Sequence, residues 1–305
     1  MTKHAHIFFA FALLFSIPVT ALNPHVIPGF YVEWPSHKGL PTVVEVTKQT
    51  EDVRSKYQHI EMFETATFGN MMLIDDVIML TQRDNPGYHE MIAQVPLNAH
   101  PNPQKVLVVG GGDGGTITQV LKHEGVKEVV LCEIDEQVIA LSKKYFPEFA
   151  ASFENDRVTV VSDDASKYIK EQQGQFDVII VDSTDPFGPG EALFTQEFYK
   201  DLHAALSEDG IAVTQSESIF LYTDLIEKLY KQNKEIFAYA SYYYTLVPTY
   251  PSGTIGFSFC SKKYDPFTNI DAARIAKLGK LDYYNEALHT ASFQLPQFLV
   301  DRLAS

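Results

Sequence analysis

A chain of 305 residues with 45% apolar and 21% charged side chains is long enough to bury a core and too apolar to stay disordered. Its 24 Lys and Arg against 39 Asp and Glu give a formal charge of −15, which argues against nucleic acid as a partner and reads first as a solubility device. Cys132 and Cys260 sit in apolar, strand-like runs and are expected as buried, reduced thiols; two cysteines support neither a disulfide framework nor a Cys-ligated zinc site.

The first segment, 1–21, reads MTKHAHIFFAFALLFSIPVTA. Lys3 gives a positive start, Ile7 to Val19 an apolar stretch too short to span a bilayer comfortably, and Val19-Thr20-Ala21 a small-residue cleavage pattern. It reads as a secretory signal peptide, which predicts a periplasmic or secreted protein with no membrane attachment once the signal is removed. Residues 22–82 read as a small antiparallel β domain. Val43 to Val46 is β-branched, His59 to Phe63 alternates, and Met71 to Ile74, Asp75-Asp76 and Val77 to Leu80 form a hairpin pattern.

Residues 83–305 change character. Asp84 to Ala99 carries Tyr88, Met91, Ile92 and Val95 at helical spacing and stops before Pro101. From Lys105 onward strands and helices alternate. Strands are expected at Lys105–Val109, Val129–Cys132, Val158–Val161, Val178–Val181, Ile211–Thr214 and Ile255–Cys260. Helices are expected at Thr116–His123, Glu136–Tyr145, Phe198–Leu206 and Leu221–Phe237. This alternation predicts an α/β fold with a parallel, doubly wound sheet. The tail from Asp265 reads as mixed and partly helical.

The first of these strands runs into Gly110-Gly111-Gly112-Asp113-Gly114-Gly115, a G-x-G-x-x-G turn that opens a helix. Glu133 ends the next strand, at roughly the ~20-residue spacing where an acid meets ribose hydroxyls. Asp113 places a negative charge where a pyrophosphate would bind, so a cationic nucleoside such as a sulfonium fits better than a dinucleotide. Asp164 and Ala165 follow the third strand, placed to meet an adenine edge; helix N-capping is a compatible second role for Asp164.

The fourth strand delivers Asp182-Ser183-Thr184-Asp185-Pro186-Phe187-Gly188-Pro189 to the same sheet edge. Turn chemistry alone would account for these residue types. Yet Asp113, Asp182 and Asp185 would then converge, and packed carboxylates raise one another's pKa unless a cation joins them. A di- or polyamine is such a cation, and a carboxylate beside an amine can take its proton. A divalent metal is the other candidate cation: no histidine stands in the loop to favour a soft metal, though Mg²⁺ fits the residue types.

Taken together, GGGDGG at 110–115, CEID at 132–135, DSTDPFGPGEALF at 182–194 and YTLVPTYPSGTIGF at 244–257 resemble the spermidine synthase family of polyamine aminopropyltransferases. KYQ at 56–58, GYHEM at 87–91, YYN at 283–285 and LPQF at 295–298 extend the resemblance from about Ile27 to the end. The resemblance implies a Rossmann-like, methyltransferase-type sheet preceded by a small β domain, in a homodimer or homotetramer. It implies transfer of an aminopropyl group from the co-substrate decarboxylated S-adenosylmethionine to putrescine, giving spermidine and methylthioadenosine, with no cofactor and no metal.

By the same resemblance Asp182 would be the base and Tyr244 would orient the attacking amine. Tyr88, His89, Ser183, Thr184, Asp185 and Gln215 would line the amine slot, and Asp113 would hold the donor's ammonium. Gln58, Gly110, Gly112, Glu133, Asp164, Ala165 and Pro189 would bind the nucleoside. Two departures stand out: Thr118-Gln119 replaces the usual Arg-Glu, and Asp84-Asn85-Pro86-Gly87 replaces an acidic–aromatic stretch. Other readings keep the fold. One is an aminopropyltransferase for cadaverine, agmatine or spermidine; another is a putrescine N-methyltransferase using S-adenosylmethionine; a third is an exported polyamine-binding protein. The family's donor is made inside cells, which points to the cytoplasm and against the signal-like start.

Overall fold

The computed structural model describes residues 26–27, 29–34 and 39–304. The segment 1–21, and with it the signal-peptide expectation, lies outside the described residues. Among the described residues no helix is long and apolar enough to cross a membrane.

Six strands form the first sheet in simple chain order: β1 (Val26–Ile27), β2 (Phe30–Glu33), β3 (Thr42–Arg54), β4 (His59–Thr65), β5 (Asn70–Ile74) and β6 (Val77–Thr81). All five pairings are antiparallel. The β5–β6 hairpin closes on Asp75 and Asp76, both at positive φ (49° and 67°), the left-handed turn that short-side-chain Asp tolerates. Strand alternation gives this sheet two apolar faces. Ile60, Met62 and Met72 pack on Val138, Phe146 and Phe149 of the second layer system, while Tyr31, Phe63 and Leu73 cluster on the opposite face. Each such fully buried side chain contributes roughly 1.5–3 kcal/mol, so the first contact fixes how the two sheets meet.

The second sheet has seven strands in the order β12-β13-β11-β10-β7-β8-β9. These are β7 (Lys105–Gly110), β8 (Glu128–Cys132), β9 (Val158–Val161), β10 (Phe176–Asp182), β11 (Leu206–Gln215), β12 (Tyr239–Leu246) and β13 (Thr254–Ser261). β7 to β11 run parallel to one another, but β13 runs antiparallel to both β11 and β12, so the expected parallel sheet is mixed at one edge. The reason is the connection: Val247–Gly253 is far too short for a parallel crossover and makes a hairpin.

Helices cover both faces, as in a Rossmann-like methyltransferase fold. They are α1 (Asn85–Ala99), α2 (Gly115–Val120), α3 (Glu136–Tyr145), α4 (Pro147–Phe153), α5 (Ala165–Tyr168), α6 (Gln196–Ala205), α7 (Thr223–Ile236), α8 (Ala272–Ala276), α9 (Glu286–Ala291) and α10 (Gln297–Ala304). Val106 and Val108 of β7 point to the α1–α2 side; Leu107 and Val109 point to the α6–α7 side. α1 is buried along nearly its whole length and pins the tail: Glu90 accepts the N–H groups of Asp282, Tyr283 and Tyr284 at 2.9, 2.9 and 2.7 Å. Cys132 and Cys260 are buried and free.

Candidate active site

The ends of β7, β8, β9, β10 and β11 open on one cavity of about 470 Å³, roofed by Glu33 and by the β5–β6 hairpin from Ile74 to Met79. In an open α/β sheet this carboxyl-end crevice is where ligands bind. Of the residues singled out in the sequence, Gln58, Tyr88, His89, Gly110, Gly112, Asp113, Glu133, Asp164, Ala165, Asp182, Ser183, Thr184, Asp185 and Gln215 all line it. Pro189 falls in the turn Gly188–Phe194, and its side chain lies outside the described residues.

The β7–α2 turn and β8 are built for close approach. A Cβ on Gly112 would stand 2.7 Å from Glu133 Oε2, and the Gly112 N–H instead donates to that oxygen at 3.1 Å. The Asp135 N–H donates to Glu133 Oε1 at 2.8 Å. Burial still pushes the Glu133 carboxyl up to about 7, against these two donors. Asp164 caps α5: its Oδ1 accepts from Ser166 N and Oγ at 3.0 and 2.7 Å. Capping is thus in force there, and the residue still faces the cavity.

Next to Glu133 lies an ionised cluster. His89 Nε2 stands 3.1 Å from Asp113 Oδ1, which also accepts the Gly115 N–H at 2.6 Å. The His89 ring packs where a Cβ on residue 115 would lie, at 2.1 Å, so only glycine fits at the start of α2. Burial disfavours both charges, but each partner outweighs it: His89 is raised and Asp113 lowered, the signature of an ion pair. Asp182, at the last position of β10, is held by two hydroxyls. Tyr88 Oη donates to its Oδ1 at 2.7 Å, and Thr116 Oγ1 donates to its Oδ2 at 2.6 Å. Burial, then the Asp113 charge, push the Asp182 carboxyl up to about 6 despite those donors. His89, Asp113 and Asp182 each place one ligand atom within 4.8 Å of the others, as do Asp52, His59 and Glu61 on strands β3 and β4.

Beyond Asp182 the cavity gathers more acid than the sequence revealed. Gln215 Nε2 donates to Asp185 Oδ1 and to Glu217 Oε1, both at 3.4 Å. Gln215 Oε1 has no hydrogen-bond partner among the described residues. Burial raises the Asp185 carboxyl, offset in part by a hydrogen bond with Glu217. Glu33, from the first sheet, accepts the Ile78 N–H at 2.8 Å and is pushed up to about 8 by burial, with Asp185 adding to it. Glu217 takes a left-handed backbone (φ 70°), held by Gly256 N–H and Tyr242 Oη, which both donate to its carbonyl at 3.0 and 2.7 Å.

Tyr244 needs correction: the cavity lining does not include it. On β12 Tyr242 and Tyr244 share a face and pack with Ile219, Ile226 and Leu299, while Tyr243 turns the other way toward Met91. Of the tyrosines in this stretch, the one at the cavity is Tyr250, carried over by the β12–β13 hairpin. Its ring lies 6.0 Å from that of Tyr88 and its hydroxyl donates to Met79 O at 2.6 Å. Burial and the charges of Asp182, Asp84, Asp113 and Asp185 all hold that phenol protonated. The motif quoted above contains both tyrosines. The signal for Tyr250 is Pro251-Ser252-Gly253 behind it, a turn that brings the loop to the sheet's carboxyl edge.

Comparison with known proteins places this cavity. Residues 85–271 match the spermine/spermidine synthase domain. The chain belongs to the spermine/spermidine synthase family. Residues 34–82, which hold strands β3 to β6, match the spermidine synthase tetramerisation domain. The polyamine aminopropyltransferase of Leptospira biflexa is 48% identical over 262 residues, 86% of this chain and 92% of the relative. That of Clostridium kluyveri is 46% identical over 256 residues, 84% and 90% of the two chains. A crystal structure of spermidine synthase in complex with the transition-state analogue AdoDATO superposes with a TM-score of 0.87 at 38% identity, over 90% of this chain and 94% of that one. Spermidine synthase from Thermotoga maritima gives 0.84 at 36%, with the same coverage. Membership makes the protein a transferase of aminopropyl groups. The cavity described here is its candidate active site.

Proposed function

We propose that the enzyme is a spermidine synthase, using decarboxylated S-adenosylmethionine as donor and putrescine as acceptor. The observation that carries this reading is the buried Asp182 carboxylate between a glycine-lined end at Glu133 and an acid-rich end at Asp185, Glu217 and Glu33. Asp182 takes a proton from the putrescine ammonium. The freed amine attacks the propyl carbon attached to the sulfonium, forming a C–N bond as the C–S bond breaks. The bond pair goes to sulfur, leaving neutral methylthioadenosine, and the new secondary ammonium gives up its extra proton. The Brønsted match is good, because a base near 6 is ionised at neutral pH yet basic enough to accept.

The remaining roles follow. Glu133 takes the ribose hydroxyls, with Gly110, Gly112, Gln58, Asp164, Ala165 and Pro189 around the base. Asp113 attracts the donor ammonium and repels a carboxylated donor, which disfavours methyl transfer from S-adenosylmethionine. Asp185 and Gln215 meet the acceptor's far ammonium, with Ser183, Thr184 and His89 along the slot and Tyr250 in the place first given to Tyr244. Residues 22–82 and 83–305 are proposed as the oligomerisation and catalytic domains of a homodimer or homotetramer.

The test is product analysis by mass spectrometry, with both donors against putrescine, cadaverine, agmatine and spermidine. Spermidine and methylthioadenosine from decarboxylated donor and putrescine are expected. A methylated amine, preference for another acceptor, or tight amine binding without turnover would each replace this reading by one of its rivals. Compartment is a separate proposal: a mature N-terminus near Leu22 marks export, and a retained Met1 marks the cytoplasm.

A further inference from the structure

We propose that Thr116 is a positioning residue for the transfer step: its hydroxyl fixes one oxygen of the Asp182 carboxylate and thereby presents the other, shared with Tyr88, to the acceptor nitrogen. The inference rests on Asp182 being the base and adds a residue that no motif singles out.

Two threonines on the same short helix make the case by contrast. Thr118 Oγ1 donates back to the Gly114 carbonyl at 2.7 Å, the ordinary local outlet for a helical threonine. Thr116 reaches across instead to Asp182 Oδ2 at 2.6 Å, a residue 66 positions away on another strand. Thr116 is fully buried, so its hydroxyl has to be satisfied, and a charged acceptor is the strongest outlet available. The Gly111 backbone also runs close to that oxygen: a Cβ built there would lie 2.9 Å from Asp182 Oδ2, so only glycine leaves the carboxylate room. Backbone and hydroxyl together leave Oδ2 little freedom to rotate.

The consequence for Oδ1 is geometric. A carboxylate offers about four lone-pair sites, and Tyr88 uses one of those on Oδ1 at 2.7 Å. With Oδ2 clamped, the remaining site on Oδ1 has a fixed direction. A base held in one orientation loses less entropy and reorganises less on the way to the transition state. The titratable groups facing the carboxylate are Asp113, His89 and Tyr88, with Tyr250 from the hairpin. Thr116 is the non-titrating donor among them, so removing it changes no formal charge.

The experiment compares Thr116→Val, which keeps the shape and removes the donor, with Thr116→Ser, which keeps the donor. The readouts are kcat, acceptor KM, methylthioadenosine affinity and the pH profile of kcat/KM. Loss of a donor to the ionised form moves the acidic limb upward. For Thr116→Val we expect that limb to rise by about one pH unit, kcat at pH 7 to fall about tenfold, and acceptor KM to stay within about twofold. Thr116→Ser should restore most of the rate and the original limb. If Thr116→Val is insoluble, Thr116→Ala against Thr116→Ser reads the same limb. A threonine that only packs would lower thermal stability without moving the limb, and that result overturns the inference, as does a serine variant as impaired as the valine one. The underlying reading fails separately: an active Asp182→Asn removes the base itself, whereas an inactive Asp182→Asn beside a wild-type-like Thr116→Val sinks only the role of Thr116.

Discussion

The two ends of the cavity hold their carboxylates by different means. At the nucleoside end Glu133 accepts two backbone N–H groups, and Asp164 caps a helix. The Asp135 and Ser166 donors lie two residues further along the chain, and the Gly112 donor comes from the glycine turn after β7. At the amine end Asp182 and Asp185 lean on side chains, Glu33 takes a single backbone N–H from Ile78 with Glu217 also lining the cavity, and burial raises Asp182, Asp185 and Glu33. A backbone-held acid is a rigid acceptor for neutral hydroxyls. Acids crowded together are under-neutralised, and a dication relieves them. The difference supports the proposed division into a nucleoside end and an amine end.

The largest expected effect comes from exchanging the two kinds of acid. Asp182→Asn should lower kcat about 10³-fold, the range of a lost general base, while methylthioadenosine binds as before. Glu133→Gln should do the converse, raising donor KM about tenfold with a smaller change in kcat. Steady-state kinetics and calorimetry separate the two. A base must be ionised, so activity in the wild type falls as pH drops through about 6, the value to which burial and Asp113 push Asp182. A flat profile between pH 5 and 7 would break the contrast between the ends.

A smaller effect separates the two tyrosines. Tyr250→Phe removes the hydroxyl bond to Met79 O beside the amine end, and we expect kcat/KM to fall about tenfold. Tyr244→Phe, on the helix-covered side of β12, should stay within about twofold of wild type. The reverse ranking would return the amine-orienting role to Tyr244.

That pair also marks where the sequence was legible. The β7 to β10 strands, the glycine turn, Glu133 and the Asp182 loop were readable because each is a local pattern: β-branched runs, a turn with a required glycine, an acid at a strand end. The amine end is assembled from afar. Glu33 arrives from the first sheet, Tyr250 from a hairpin, and Glu217 from a strained loop after β11. Strand direction has no signature in a period-two pattern, so the antiparallel β13 was invisible until β12 was seen beside it. With β12 in place, the seven-residue link Val247–Gly253 makes the hairpin unavoidable and carries Tyr250 to the cavity.

The smallest effect is on stability, and it tests whether crowded acid at the amine end has a cost in the empty enzyme. Glu33 is 2% exposed, and its carboxyl is raised from 4.5 to about 8, by burial first and then by Asp185. Between those two values the folded chain holds a proton that the unfolded chain has released. Stability from this group is therefore complete below about 4.5 and is lost as pH rises through about 8. Glu33→Gln keeps an oxygen for the Ile78 N–H but never ionises. In urea denaturation the variant should match wild type near pH 5 and exceed it by about 2 kcal/mol near pH 9. Glu133, raised to about 7, leaves part of the slope in both proteins, so the difference between the two slopes is the quantity to read. Equal slopes would mean that Glu33 is relaxed at the cavity, and the contrast between a backbone-held end and a crowded end would then rest on Asp182 and Asp185 alone.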